Sequence, residues 1–329
     1  LDSFVRQCDV IIHLAAMNRH GEPQVIYDTN VRLVQDLISS IERNNHKPHI
    51  LFSSSTQEEK DNPYGRSKKE GRRLFEEWAE RNGARFTALI IPNVFGPFGK
   101  PFYNSAISTF SYQLTHNLEP KIEIDASLKL IYINDLVKKI SDAINENNSL
   151  IRSINVAHSN EIKVSDILNK IIEFKNLYLD NLIIPDLKSR FEISLFNTFR
   201  SYIESEHYPV LLNLHSDNRG YLFESIKTQT GGQVFFSVTE PGITRGNHFH
   251  MRKIERFCVV KGEAVIRLRK IGTDKIIEYQ VSGQRPSFID MPVFYTHNIT
   301  NVGPEVLETL FWSNEIYNTD DSDTYYETV

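Results

Sequence analysis

The chain of 329 residues has only two cysteines, Cys8 and Cys258, far apart and each within an apolar, strand-like run. That excludes a disulfide framework, and two buried free thiols in a reducing compartment are expected instead. Long apolar runs are missing as well. None approaches the ~20 residues of a membrane span, so no membrane insertion is expected. No signal-peptide pattern opens the chain, and the expected location is the cytoplasm. Positive charge is not in excess either. The net charge of -5 argues against a nucleic-acid partner, which would want a basic stripe. Glycine is scarce early on: Gly21 alone precedes Ser53, so that stretch has no glycine-rich loop to cradle a diphosphate. Internal repeats and low-complexity tracts are absent.

What is present falls into two textures, and at this length two domains are the better expectation. CDVIIHLAA (Cys8 to Ala16) reads as a buried parallel strand, apolar on both faces. VRLVQDLISSIERN has helical apolar spacing, HILFSSS is a short strand, SKKEGRRLFEEWAERNG is an amphipathic helix ended by glycine, and RFTALIIPNVFG is another buried strand. This alternation predicts a doubly wound α/β sheet. Polar, aromatic and proline residues interrupt it between Asp180 and Pro209. Beyond that point VFFSVTE, ERFCVVKGEAVIRLRKI, KIIEYQVS and VLETLFWSNE alternate apolar and polar residues between turns. Such spacing predicts an all-β sandwich or barrel. The expected division is an α/β domain over 1–205 and a β domain over 206–329.

NPYGRSKKEG places Tyr64 and Lys68 one helical turn apart on one face, downstream of Ser53-Ser54-Ser55. Together these groups suit carbonyl reduction. The tyrosine hydroxyl donates a proton to the developing alkoxide, the lysine ammonium lowers the tyrosine pKa, and a serine hydroxyl polarises the carbonyl. A bare Tyr-x-x-x-Lys arises by chance on many exposed helices, so the neighbouring motifs decide. Over Asp9 to Ala157 they resemble the extended short-chain dehydrogenase/reductase family: VIIHLAA, TNVRLVQDLI with Asn30, SSS, PYGRSK, IIPNVFGP and IYINDLVKKI follow in that family's order. Leu33 stands where the family has a glycine.

The resemblance implies a Rossmann-like fold and NADPH as cofactor. It implies Ser55 as the catalytic hydroxyl, ahead of Ser54, with Tyr64 as the acid and Lys68 as its partner. Leu14, Ala15 and Ala16 would pass beneath the cofactor ribose, with Tyr64 and Lys68 also touching the cofactor, and Asn93 would meet a nucleotide-sugar substrate. The family's phosphate loop follows its first strand. The expectation is therefore that the first βαβ portion of the fold is missing from this chain.

In the β half, Gly242-x5-His248-x-His250-x4-Glu255-x6-Gly262 has the spacing of the first cupin motif. Pro292, His297 and Asn301 supply P-x-G-x-x-H-x-x-x-N, the second, with Phe294 at its glycine position. Alternate side chains of a strand share a face, so His248 and His250 can both point inward. Glu255 and His297 are expected from neighbouring strands. Three imidazoles and a carboxylate suit zinc, with nickel, iron(II) or manganese as alternatives. A lone histidine on an apolar face is usually a satisfied core residue. Four ligand-type residues at family spacing are much less easily accidental.

HSDNRGYLFES followed by TRGNHFH resembles the nucleotide-sugar 3,5-epimerase branch of the cupins, in which such segments line the sugar-nucleotide cleft. The resemblance implies substrate contacts from Asp217 and Arg219, Arg219 because a guanidinium suits diphosphate bidentately. Asp217, Arg219 and Glu224 have a bland alternative as a surface turn with a salt bridge, which weighs evenly for Asp217 but less than binding for Arg219. In that branch the R-G-x-H histidine is the base. Here it would be His248, and a nitrogen bound to metal accepts no proton, so with zinc present another group or a metal-bound water would serve.

A reductase half joined to a metal cupin resembles a bacterial family of capsular-polysaccharide enzymes that make UDP-N-acetyl-L-fucosamine. The segment PFYNSAISTFSYQL supports this. The resemblance implies epimerisation at carbon 3 of UDP-2-acetamido-2,6-dideoxy-4-hexulose, then reduction of the 4-keto group with NADPH to the talose-configured sugar. It also implies a homodimer. Two rivals stand beside it: a single-activity 4-ketoreductase whose cupin is a zinc-stabilised dimerisation module, and a sugar-binding protein whose reductase half has decayed.

Overall fold

The computed structural model describes residues 1–146, 150–218 and 220–329. Strands β1 (Val10–His13), β2 (His49–Ser55), β3 (Phe86–Ile91) and β6 (Ile151–Asn155) form a parallel sheet in that order. Both of its faces are covered, which is why its strands are apolar on both sides. Ile50, Phe52, Phe86 and Ala88 meet Val34, Leu37, Ile41, Phe75 and Trp78 from helices α1 (Pro23–Arg43) and α2 (Pro63–Asn82). Leu51, Leu89 and Ile91 pack the other way, against Leu136 and Ala143 of α3 (Ile133–Asn145). This is the doubly wound pattern that alternating strand and helix predict. Strands β4 (Asn93–Phe95), β5 (Ser127–Tyr132) and β7 (Asn160–Lys163) form a small second sheet.

Local chemistry sets the start and end of α2. The Asn62 side chain accepts the Gly65 N–H at 2.8 Å, Pro63 opens the first turn, and Gly83 closes the helix at φ 59°. Gly65 has a second duty. A Cβ there would run into the carbonyl oxygens of Gln57 and Lys60, so glycine lets the turn after Ser55 lie against the helix start.

The chain divides into two compact units: Leu1–Phe95 with Lys100–Ala106 and Ile124–Val164, and Gly96–Gly99 with Ile107–Glu123 and Ser165–Val329. The second therefore takes in the helix α4 (Arg190–Arg200), because Asn197 Nδ2 donates to the Arg252 carbonyl at 2.7 Å and Arg200 Nη2 to that of Met291 at 2.8 Å. The composition change around 180–209 marks where strands begin, while packing groups α4 with those strands.

Two antiparallel sheets dominate the rest of the second unit. One sheet runs β9 (Gln233–Thr239), β16 (Leu307–Ser313), β11 (Glu255–Lys261), β14 (Ser287–Met291), β8 (Val210–Leu211). The other runs β13 (Ile276–Ser282), β12 (Glu263–Lys270), β15 (Tyr295–Asn301), β10 (Thr244–Phe249), β17 (Tyr325–Tyr326). Phe257, Ile289 and Leu307 of the first share one core with Ile266, Leu268 and Ile299 of the second. The cupin motifs imply a β-barrel over 206–329, but among the described residues no closed barrel forms, and the two sheets remain open. The chain crosses between sheets at Gly262 (φ 89°) without a ladder joining them, so each sheet keeps two edges. Cys258 is fully buried, and burial pushes its thiol up to about 11, but Cys8 is only half-buried. No helix among the described residues is long and apolar enough to cross a membrane.

Candidate active site and metal centre

In the first unit the predicted residues gather at the carboxyl ends of the parallel strands, where open α/β sheets bind ligands. Leu14 to Ala16 follow β1, Ser55 ends β2, and Asn93 follows β3. Leu14 and Ala15 are exposed and Ala16 half-buried, leaving their backbone accessible. Asn93 is exposed, its amide donating to the Lys129 carbonyl at 3.2 Å.

Hydrogen bonding separates the three serines. Ser53 Oγ donates to the His13 carbonyl at 3.1 Å, and Ser54 Oγ donates to the Glu58 carboxylate, which Arg72 Nη2 grips at 3.0 Å. Both are structural. Ser55 Oγ accepts the Gln57 N–H at 3.2 Å and pairs with the Tyr64 hydroxyl. The geometry thus sets Ser55 beside Tyr64, while Ser54 is committed elsewhere.

Lys68 is almost fully buried, yet its ammonium lies over the ring of Phe52, 4.9 Å from the centroid, and 5.9 Å from that of Tyr64. Its Nζ donates to the Ser53 carbonyl at 2.8 Å. Burial brings its pKa down to about 8, with Glu58 opposing. The expected lowering of the Tyr64 pKa is not found. Burial and the neighbouring Tyr103 push it up, and the Ser55 hydrogen bond only partly offsets them. The phenol is therefore a protonated donor at neutral pH.

Asn30 and Ser67 tie this site together. Buried Asn30 accepts the Met17 N–H at 2.6 Å and donates to the Met17 carbonyl at 3.0 Å and to Ser67 Oγ at 2.9 Å. Ser67 Oγ in turn donates to the Tyr64 carbonyl at 2.7 Å. Sequence reasoning placed Asn30 in a motif without a role and missed Ser67, because a serine inside PYGRSK carries no mark of a tertiary partner.

In the second unit His248, His250, Glu255 and His297 do come together, their ligand atoms all within 4.8 Å of one another. His248 and His297 sit directly opposite each other on paired strands β10 and β15, with ring centroids 4.6 Å apart. Glu255 begins β11 in the facing sheet, so it is not on a strand neighbouring His297 as expected. The carboxylate closes the cluster across the sandwich. A bulge at Gly246 (φ 105°) and Asn247 (φ 61°) re-aims β10. A Cβ on Gly246 would strike the His297 carbonyl oxygen at 2.7 Å. Phe294, at the motif's glycine position, also adopts the left-handed conformation (φ 61°), so the turn survives the substitution. Asn301 secures the far end, donating to the carbonyls of Thr239 at 2.9 Å and Glu305 at 2.8 Å.

Tautomers follow from the outer hydrogen bonds. His250 Nδ1 lies 2.6 Å from the Asp323 carbonyl, and His297 Nδ1 lies 3.2 Å from that of Tyr295. A carbonyl only accepts, so each Nδ1 carries a proton and each Nε2 is the atom turned toward Glu255. Both Nε2 atoms are buried without a hydrogen-bond partner, 3.1 Å and 3.4 Å from Glu255 Oε2. An imidazole nitrogen facing a carboxylate needs a cation between them, a proton or a metal ion; at His250 burial lowers the pKa but Glu255 more than offsets it, so the pKa is raised. Tetrahedral zinc, at about 2.0–2.2 Å from each donor, would space those donors by roughly 3.3–3.5 Å. The residues fit such an ion. His248 is neutral, because burial, then His297, brings it to about 4.

Asp217 lies on a hairpin of His215–Asp217 against Gly220–Leu222 that joins neither large sheet. Glu224 is paired with Lys227 at 3.8 Å. Arg219 lies outside the described residues.

Comparison with known proteins bears on both halves. Residues 1–157 match the NAD dependent epimerase/dehydratase family, and residues 215–325 match the polysaccharide biosynthesis C-terminal domain. The UDP-2-acetamido-2,6-beta-L-arabino-hexul-4-ose reductase of Pseudomonas aeruginosa is 31% identical over 326 residues, spanning 99% of this chain and 87% of that protein. Among solved structures, the capsular polysaccharide assembling protein CapF from Staphylococcus aureus is 38% identical, with a TM-score of 0.60 over 100% of this chain and 89% of that one. CapF with the inhibitor 3-isopropenyl-tropolone is 34% identical, with a TM-score of 0.53 over 100% of this chain and 88% of that one.

Proposed function

The chain belongs to the CapF family, and we propose that it is a bifunctional UDP-sugar enzyme of capsular polysaccharide synthesis. In this reading 206–329 form a cupin domain that epimerises carbon 3 of UDP-2-acetamido-2,6-dideoxy-4-hexulose. The domain over 1–205 then reduces the 4-keto group with NADPH, giving the talose-configured sugar. One observation carries it: a single chain holds a Ser55–Tyr64–Lys68 set and a separate cluster of three histidines and a glutamate.

The order of steps follows from the chemistry. A keto group acidifies the neighbouring C–H because the resulting carbanion delocalises into it as an enolate. Epimerisation must therefore precede reduction. At the reductase site Ser55 hydrogen-bonds the substrate oxygen, and Tyr64, held protonated by burial, passes its proton to that oxygen. Lys68 keeps positive charge under the Tyr64 ring as the phenol gives up its proton. Leu14, Ala15, Ala16, Tyr64 and Lys68 would hold NADPH, which when bound would supply the hydride. Asn93 and, in the cupin, Asp217 and Arg219 are assigned to the UDP-sugar.

At the second site His248, His250, Glu255 and His297 would hold zinc, which supplies electrophilic stabilisation of charge on the keto oxygen. The tropolone bound to a CapF protein is in keeping with this, since its adjacent ketone and hydroxyl form a chelating pair. With His248 engaged as a ligand, the base is another group. A homodimer fits the edge strand β9, where Val234 (58%), Phe236 (59%) and Val238 (45%) are exposed on one face beside an unpaired ladder.

The alternative is a single-activity 4-ketoreductase whose zinc cupin only supports dimerisation. It draws on the complete burial of His297, a feature of closed structural sites. Incubating the protein with the 4-hexulose in deuterium oxide, without NADPH, separates the two. Deuterium at carbon 3 supports the epimerase. Its absence, with NADPH oxidation intact, leaves the single-activity enzyme.

A further inference from the structure

His250 owes its orientation to a residue far along the chain. The segment 321–327 wraps the metal cluster from outside. Tyr326 pairs with His248 and Tyr325 with Phe249, on which its ring stacks at 5.2 Å. Glu327 N–H donates to the Asn247 carbonyl at 3.0 Å. At the head of this strap sits Asp323, only 6% exposed and left-handed at φ 43°. Its carboxylate accepts the backbone N–H of Met251 at 3.3 Å, of Arg252 at 2.8 Å and of Lys253 at 2.8 Å. Its carbonyl accepts His250 Nδ1–H at 2.6 Å. One residue thus gathers the turn between two ligands, His250 and Glu255, and selects the tautomer of the first. Arg252, on that turn, is clamped to the same region by Glu315 at 2.8 Å and Asp321 at 3.1 Å.

We propose that Asp323 is a positioning residue for the metal centre, setting ion affinity through the 251–253 turn and through His250. A buried carboxylate with three N–H donors is not needed merely to end a strand. Removing it would leave three N–H groups unpaired, that of Lys253 buried and those of Met251 and Arg252 partly so, and free the turn to drift. Because His250 and Glu255 flank that turn, any drift changes the distance between two ligands and with it the fit to the ion. The proposal rests on the zinc reading above.

The test compares Asp323→Gly with Asp323→Asn. Glycine keeps the left-handed backbone unstrained while removing the carboxylate, and asparagine tolerates that backbone and keeps one acceptor oxygen. Zinc affinity is read by competition with a chromophoric chelator, alongside the visible spectrum of the cobalt-loaded protein and melting with and without metal. Affinity should fall in the order Asp, Asn, Gly, reaching a loss of about 10- to 100-fold for glycine. The cobalt bands should move in the same order. The rise in melting temperature on adding metal should shrink, whereas a merely structural residue would lower both melting curves alike. Equal zinc affinity across the series, with the parent binding tightly, overturns the role of Asp323 and leaves the metal centre standing. If Asp323→Gly does not fold, equality of parent and Asp323→Asn overturns it as well. A parent protein that takes up no zinc brings down the metal reading itself.

Discussion

The two candidate sites solve opposite electrostatic problems. In the α/β unit the polar groups around the chemistry are satisfied by the chain itself: Ser53, Ser54, Ser67 and Lys68 each reach a carbonyl or carboxylate, and Ser55 reaches Tyr64. In the β unit two buried imidazole nitrogens converge on one carboxylate, 3.1 Å and 3.4 Å from its Oε2. The first site is preorganised without help and brings its own cation in Lys68. The second gathers four groups that a divalent cation would hold together. Deletions should therefore hurt catalysis in the first site and cohesion in the second.

The largest effect is expected where a single proton matters. Tyr64→Phe removes the hydroxyl and keeps the ring over which Lys68 sits. Reduction, followed by NADPH oxidation, should fall by about 10²- to 10⁴-fold. Deuterium uptake at carbon 3 should continue. Loss of both activities would erase the contrast by showing that the sites are not independent.

The next effect tests cohesion. His250→Ala takes away one imidazole and leaves Glu255 with His248 and His297. Zinc affinity should drop by at least about 100-fold, since loss of a ligand exceeds loss of its outer support. The zinc-dependent part of the melting temperature should go with it. Reduction of an already epimerised ketone should persist. A variant with the parent's metal content, measured by elemental analysis, would mean that the cluster is ordinary packing.

The two regions also differ in how much the sequence discloses. Tyr64 and Lys68 are four apart on one helix, so spacing alone brings them together, and Ser55 follows from the strand it ends. The apolar two-faced strands likewise announce a covered parallel sheet. The four ligand-type residues were legible from motif spacing, yet their assembly was not. Glu255 reaches the cluster from the opposite sheet, a pairing set by tertiary structure. Asp323 was invisible because its partners lie some seventy positions upstream. The Tyr64 pKa was misjudged for a similar reason. Spacing reports that a lysine is near, but not that the phenol is buried enough for desolvation to win.

The smallest effect concerns Lys68, and it separates stability from activity within the preorganised site. Burial lowers its pKa from 10.5 to about 8. Below pH 8 the ammonium is protonated in folded and unfolded chains alike, so its burial cost is present in full and does not vary. Between about pH 8 and 10.5 the unfolded chain keeps a proton that the folded chain has released. Stability from this group must then rise with pH. The gain cannot exceed about 3 kcal/mol, the equivalent of the whole shift. Lys68→Met has no such titration. In urea unfolding without nucleotide, the stability difference between parent and Lys68→Met should move toward the parent as pH climbs through that window. Reductase activity should move the other way, because the site loses the charge that supports Tyr64 as its proton departs. A parent whose stability difference stays flat from pH 7.5 to 10 would show Lys68 to be solvated, and the first site would then be no better preorganised than the second.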